Sequence, residues 1–432
     1  MYEFPTNAQP LFPTTRLLQG QDGNFYGTTA GGGRNNNDWS DNSKGTIYRL
    51  TPGGSFTLLY SFAGTNGANP SGDLIQATNG ILYGTTTYGT NPPFDSGTFF
   101  KVTTNGLLTT LFFFGGTNGS NPYGQLAPVT NGFYGTTRNG GSNGLGTVFK
   151  ITTNGTFTLL HSFDGTNDGC YPFSGLTLAN DGNFYGMTSS GGNGFTDFSG
   201  NGTVFKMGTN GIFASLVSFD TNYVGSFKSR FTLGTDGQLY GVAGKQIFKM
   251  TTNGVLTPLA AFNGTNGNRS ARGLTLGKDG NFYGITPYHL DGATLTYGTI
   301  YKMTPSGELK TIFYFNGTNA LNPFGTFTLA KDGNLYGAVS DEPRNVTLDG
   351  NAGAIFCMVE PSNLAAIRLT GSIKLTWTTF TNGIYRLEKL SSLGVTNWTT
   401  ISSNIIATTT NASFTNATTG ATQEFYRAVL LP

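Results

Sequence analysis

Along most of the chain, apolar and β-branched residues come in short runs separated by clusters of Asn, Asp, Gly and Thr, a pattern that predicts strands and turns instead of helices. The stretch 175–219 shows the order of elements. Gly175-Leu176-Thr177-Leu178-Ala179 is a brief apolar run, and Asn180-Asp181-Gly182 follows as a turn, because Asp and Asn bond their own backbone and Gly accepts positive φ. A second strand is predicted over 183–188, a third over 202–207 and a fourth over 212–219, with Thr209-Asn210-Gly211 turning the chain before the last. In other stretches a Gly-Thr-Asn-Gly phrase and a proline come next, as in 64–70 and 116–122. Proline cannot donate to a ladder, so it belongs in the connection between units.

The phrase Asp-Gly-Asn-Phe-Tyr-Gly at 22–27 recurs six more times with small changes. Its closing glycines are Gly27, Gly84, Gly135, Gly186, Gly241, Gly284 and Gly337, so the successive steps are 57, 51, 51, 55, 43 and 53 residues. That period is too long for helical arrays or leucine-rich horseshoes and fits radial β architectures. Seven four-stranded units predict an all-β fold, a seven-bladed β-propeller over residues 1–360. Residues 2–10 align with 60–70, the end of a fourth strand, whereas the seventh unit stops after a third strand at 354–359. The segment 1–4 is therefore expected to supply the missing strand and close the ring, leaving no free edge.

Past Glu360 the repeat gives way to period-two alternation, in 373–377, 385–388 and 425–429. This predicts a second domain over 361–432, a small β-sandwich with Trp377 and Trp398 in its core. With 65 Gly and only 11% charged residues, the chain lacks the helix-forming composition of most domains, and its 35 Phe and 20 Tyr are expected to fill the gaps between blades. A formal charge of +2 without a Lys/Arg cluster argues against a nucleic-acid partner. No apolar run is long enough for a transmembrane segment. The first residues carry no signal-peptide pattern and the last three, Leu430-Leu431-Pro432, no anchor, so mature or trimmed protein is expected.

The string Asp-Gly-Asn-Phe-Tyr-Gly-Met-Thr at 181–188, then Gly-Thr-Val-Phe-Lys-Met at 202–207 and Phe-x-x-x-x-Ser-Phe at 213–219, resembles the GloVer-type tandem repeat of exported bacterial proteins. The resemblance covers residues 1 to about 360. It implies an extracellular or cell-surface setting and brings no catalytic residues with it. The tail, through Leu375-Thr376-Trp377 and Phe425-Tyr426-Arg427, resembles immunoglobulin- and fibronectin-like modules.

Catalytic chemistry has little to draw on. The chain has two histidines: His161 stands where another unit has Tyr60, a structural position, and His289 lies in a loop that other units do not share. No nucleophile, phosphate-loop or metal-ligand spacing is present, so no catalytic residue, metal or cofactor is expected. The Asp-Gly-Asn turns offer one carboxylate each, too few for Ca²⁺. Variation concentrates in the second-to-third strand loops, which share a face with the interblade connections. Ligand-binding candidates are Trp39, Tyr288 and His289 on those loops, with Arg16, Asp73, Arg230 and Arg272 near the starts of the channel-lining first strands. The expected function is non-enzymatic binding or adhesion at the cell exterior, with a polysaccharide or surface protein as partner. The alternatives are a carbohydrate-active lyase or hydrolase working at the channel mouth, and a subunit of a surface layer or filament.

Overall fold

A computed structural model describes residues 2–3, 10–11, 13, 15–33, 44–89, 96–192, 200–220, 223, 229–268, 273–291, 294–315, 323, 325–339, 354–358, 365–369, 372–378, 384–390, 399–406, 411–417 and 425–430. These residues form strands and turns with a 3₁₀ turn at Gly116–Asn118, and among them no helix is long and apolar enough to cross a membrane. The chain divides into two compact units, the first holding Met1–Lys331 and Leu335–Met358, the second chiefly Val359–Pro432.

The first unit is a seven-bladed β-propeller of four-stranded antiparallel sheets. Blade 4 shows the common pattern, with strands Thr177–Leu178, Phe184–Met187, Thr203–Met207 and Phe213–Ser218 pairing in sequence order. Blade 7 has three consecutive strands, Thr328–Leu329, Leu335–Val339 and Ala354–Met358, and takes its fourth from Tyr2–Glu3, which pairs as Tyr2↔Ile355 and Glu3↔Ala354.

The repeated phrase is legible residue by residue. Its Asp closes the turn: Asp181 Oδ1 accepts the Asn183 N–H at 3.1 Å, and Oδ2 accepts the Tyr185 hydroxyl at 2.7 Å. The same clasp joins Tyr26 to Asp22, Tyr240 to Asp236 and Tyr283 to Asp279. Burial opposes ionisation of Asp181, but bonds from Tyr185, Asn183 and Lys206 outweigh it and hold the carboxyl at about 2. Gly182 takes φ 77°, which the turn needs.

The next two residues point to opposite faces of the blade, as strand pleating requires. Phe or Leu packs toward the preceding blade and Tyr toward the following one. Tyr134 of blade 3 stacks on Phe184 of blade 4 at 4.3 Å, Tyr240 of blade 5 on Phe282 of blade 6 at 4.1 Å, and Tyr336 of blade 7 meets Phe25 of blade 1 at 4.4 Å. This last pair helps join the ends of the ring, together with the Thr328 hydroxyl bonded to the Leu17 carbonyl and Lys331 N–H on Gln19 Oε1 at 2.7 Å.

The closing glycine has a steric cause. In every blade it pairs with an aromatic residue on the third strand, Gly27 with Tyr48, Gly84 with Phe100 and so on to Gly337 with Phe356, and the ring lies over the glycine. One step before that aromatic, six blades carry a register shift between third and fourth strands, for example at Val204/Phe205. Such bulges add local twist. Strands two and three are further joined by buried threonine pairs, among them Thr137 with Thr147 at 2.7 Å and Thr188 with Thr203 at 2.9 Å.

The second unit contains two three-stranded antiparallel sheets, one of Ala365–Leu369, Ser372–Thr378 and Asn411–Ala417, the other of Ile384–Leu390, Thr399–Ile406 and Phe425–Leu430. Leu375, Trp377, Tyr385 and Leu387 form one buried cluster between them. Trp398 lies outside the described residues.

Candidate functional site

Two residues before each first strand stands an equivalent position, occupied by Arg16, Asp73, Gln125, Gly175, Arg230, Gly273 and Thr326. The series fixes the register at which charges enter the channel. Arg16, Asp73, Gln125 and Arg230 come together in a single cavity of about 490 Å³, which extends along the first strands to Lys278 and Lys331, each just ahead of its turn aspartate. Asp73 Oδ1 accepts the Arg16 backbone N–H at 2.9 Å, and Arg16 Nε donates to Thr328 Oγ1 at 3.4 Å, so side chains of blades 2 and 7 hold Arg16. Burial and the nearby Arg16 charge lower Arg230 to about 10, with Asp73 offsetting part of the effect. Asp73 is the one carboxylate among the described residues lining the cavity.

Arg272 lies outside the described residues. Trp39 is likewise outside the described residues. Tyr288 and His289 do not sit in a loop. The second and third strands of blade 6 extend into a long hairpin, Phe282–Asp291 with Thr294–Met303, pairing Tyr288↔Tyr297 and His289↔Thr296. Alternating Tyr, Leu and Thr residues beyond the usual strand end explain the extension. His161 is structural: its Nε2 meets Asp168 Oδ2 at 2.7 Å, and its ring stacks on Phe213 at 3.7 Å.

On the loop face stands a group of side chains contributed by three blades. The interblade connection and the second-to-third loop run side by side, with bridges at Ala68↔Tyr88, Ser120↔Asn139 and Cys170↔Ser190. On this face Tyr88 and Tyr123 share a hydrogen bond of 2.7 Å between their hydroxyls. Tyr123 stacks on Phe173 at 4.4 Å with an 18° interplanar angle. The Arg138 guanidinium lies 5.6 Å from the Tyr171 ring and 5.8 Å from Phe173. All five side chains are half-buried and form a shelf across blades 2, 3 and 4. Tyr123 precedes the cavity-lining Gln125 by two residues, so about 7 Å of extended chain links the shelf to the cavity wall.

Tyr171 is held in an unfavourable conformation. Its φ is 56°, and the matching pre-proline positions of blades 2 and 3 are Asn69 and Asn121, both at 57°. Asparagine tolerates that region; a bulky side chain there costs about 1–3 kcal/mol. Two neighbours clamp it, with the Tyr171 N–H bonded to the Leu145 carbonyl at 2.8 Å and the Tyr171 carbonyl accepting from Ser189 N–H at 3.2 Å. A tyrosine where sister blades use asparagine was the available sequence signal.

Residues 12–246 match the profile of the Gloeobacter/Verrucomicrobia repeat. No curated protein matches the sequence. Among solved structures, the chain is similar to the extracellular domain of a candidate one component system from B. thetaiotaomicron, at 10% identity and a TM-score of 0.51, over 98% of this chain and 56% of that one. The chain thus spans a little over half the length of that protein. It is also similar to a luciferin-regenerating enzyme, at 12% identity, TM-score 0.40, over 67% of this chain and 90% of that one. A gluconolactonase from Xanthomonas campestris matches at 11% identity, TM-score 0.37, over 55% of this chain and 75% of that one.

Proposed function

Because the chain belongs to the Gloeobacter/Verrucomicrobia repeat family, whose units here build a rigid propeller, we propose that it is a non-enzymatic binding protein of the cell exterior that holds a glycan on its loop face. The observation that carries this reading is the shelf of Tyr88, Tyr123, Tyr171 and Phe173. Flat rings beside hydrogen-bonding hydroxyls suit the apolar faces and hydroxyl edges of pyranose rings. The strained Tyr171 supports it further, since backbone strain concentrates at ligand-binding positions. An extracellular setting is part of the proposal and agrees with the extracellular domain that shares the fold. We read the two-sheet C-terminal unit as an immunoglobulin- or fibronectin-like module beside a propeller of residues 1–360.

Glycosidic hydrolysis by the usual route needs two carboxyl groups flanking the scissile bond. The described cavity lining offers Asp73 alone, which favours binding over turnover. The test is a glycan array with the full chain, followed by analysis of the bound polysaccharide for released products. Binding without release is expected. Tyr171→Asn should weaken it by about tenfold, or about 1.4 kcal/mol, while the melting temperature stays level or rises because Asn suits the backbone. Product release, or binding that Tyr171→Asn leaves intact, would overturn the proposal.

A further inference from the structure

We propose that the channel mouth is an anion site and that the glycan it receives is an anionic one, whose carboxylate or sulfate group is taken between Arg16 and Arg230. This inference rests on the glycan reading above. Its basis is the charge of the cavity. Arg16 and Arg230 line it against Asp73, the one carboxylate among the described lining residues, and Lys278 and Lys331 border it toward the turn end. Asp73 is engaged with the Arg16 backbone, and among the described residues neither arginine forms an ion pair with a carboxylate. Elsewhere in the propeller cations do find such partners, as Lys206 does with Asp181 at 3.1 Å and Lys302 with Asp279 at 2.6 Å.

Two guanidinium groups enclosed by the same wall repel each other. Burial together with the Arg16 charge depresses Arg230, and burial depresses Arg16, in each case with partial relief from Asp73. An incoming anion supplies the missing negative charge. It relieves the repulsion and gains charge-assisted hydrogen bonds in a partly desolvated space, where they are stronger than at an exposed surface. Arginine also presents a planar fork that matches carboxylate and sulfate oxygens. A cavity of about 490 Å³ is within the ordinary range for ligand pockets, and the Tyr123–Phe173 stack, two residues of chain from the cavity-lining Gln125, would hold the neighbouring ring.

The test is calorimetric titration of the full chain with tetragalacturonate, with its carboxyl-reduced neutral counterpart and with a sulfated galactan tetrasaccharide, at low and high salt. One or both anionic sugars should bind at least tenfold tighter than the neutral one, and the arms identify which group is preferred. The preference should shrink with salt and vanish in R16Q/R230Q, whereas R230K, which keeps the charge but not the fork, should melt with the wild type and retain part of it. Equal binding of neutral and anionic sugars, or a preference that survives R16Q/R230Q, overturns the anion site and leaves the glycan reading standing. If no sugar binds, the glycan reading fails, and melting curves in citrate decide the anion site separately. Stabilisation of wild type but not of R16Q/R230Q retains the site; no stabilisation overturns it.

Discussion

An alanine at position 84 would place its methyl 2.7 Å from Phe100 Cζ and 3.0 Å from Leu74 Cδ2, both inside the core shared by blades 1 and 2. Neither neighbour is a free side-chain end, so Gly84→Ala should destabilise the propeller by about 1–3 kcal/mol, as overpacking does. Denaturant unfolding of the two proteins measures it, and an unchanged midpoint would show that the ring above the glycine yields. This scale also shows what the sequence could convey. The Asp-Gly turn and the strand after it were readable because their causes are local: an Asx bond, a positive φ, a pleat. The shelf was not. Tyr88, Tyr123, Arg138, Tyr171 and Phe173 come from interblade connections and second-to-third loops of three units, and only the ring geometry brings them together. Arg16, Asp73 and Arg230 were readable because each holds the same offset from its turn; Arg272 is displaced from that offset by one residue.

A blade is a meander whose third strand carries the work of packing. It supplies the aromatic that covers the glycine, the threonine that pairs across to the second strand, and the bulge against the fourth. Among the described residues, the fourth strand of blade 7 is the two-residue pairing of Tyr2–Glu3 with Ala354–Met358. That edge is the shortest of the ring. Deleting residues 1–5 exposes the ladder of Ala354–Met358. The melting temperature of the propeller should drop in one cooperative transition, by about 2–4 °C for each kcal/mol lost. A melting curve superposable on that of the intact chain would contradict the closure.

At the scale of the molecule, seven near-identical sheets produce a rigid ring with two unlike ends. The turn end repeats Asp, Asn and Gly with little change from blade to blade, and its side chains close their own turns. The loop end differs in every blade and carries the strained tyrosine, the aromatic shelf and the charged channel mouth. The sequence predicted this division because length and composition vary chiefly in the second-to-third loops and the interblade connections, which share one face. It left the ligand open, since recognition depends on side chains from separate blades meeting across the ring. The central claim is that ligand contact belongs to the loop end, and amide hydrogen exchange with and without the glycan selected on the array tests it directly. Protection is expected around Tyr88, in 120–125, 138–141 and 168–175, and beside Arg16 and Arg230, with the turn segments 21–24, 180–183 and 209–212 unchanged. Protection confined to those turns or to the C-terminal unit would contradict the account.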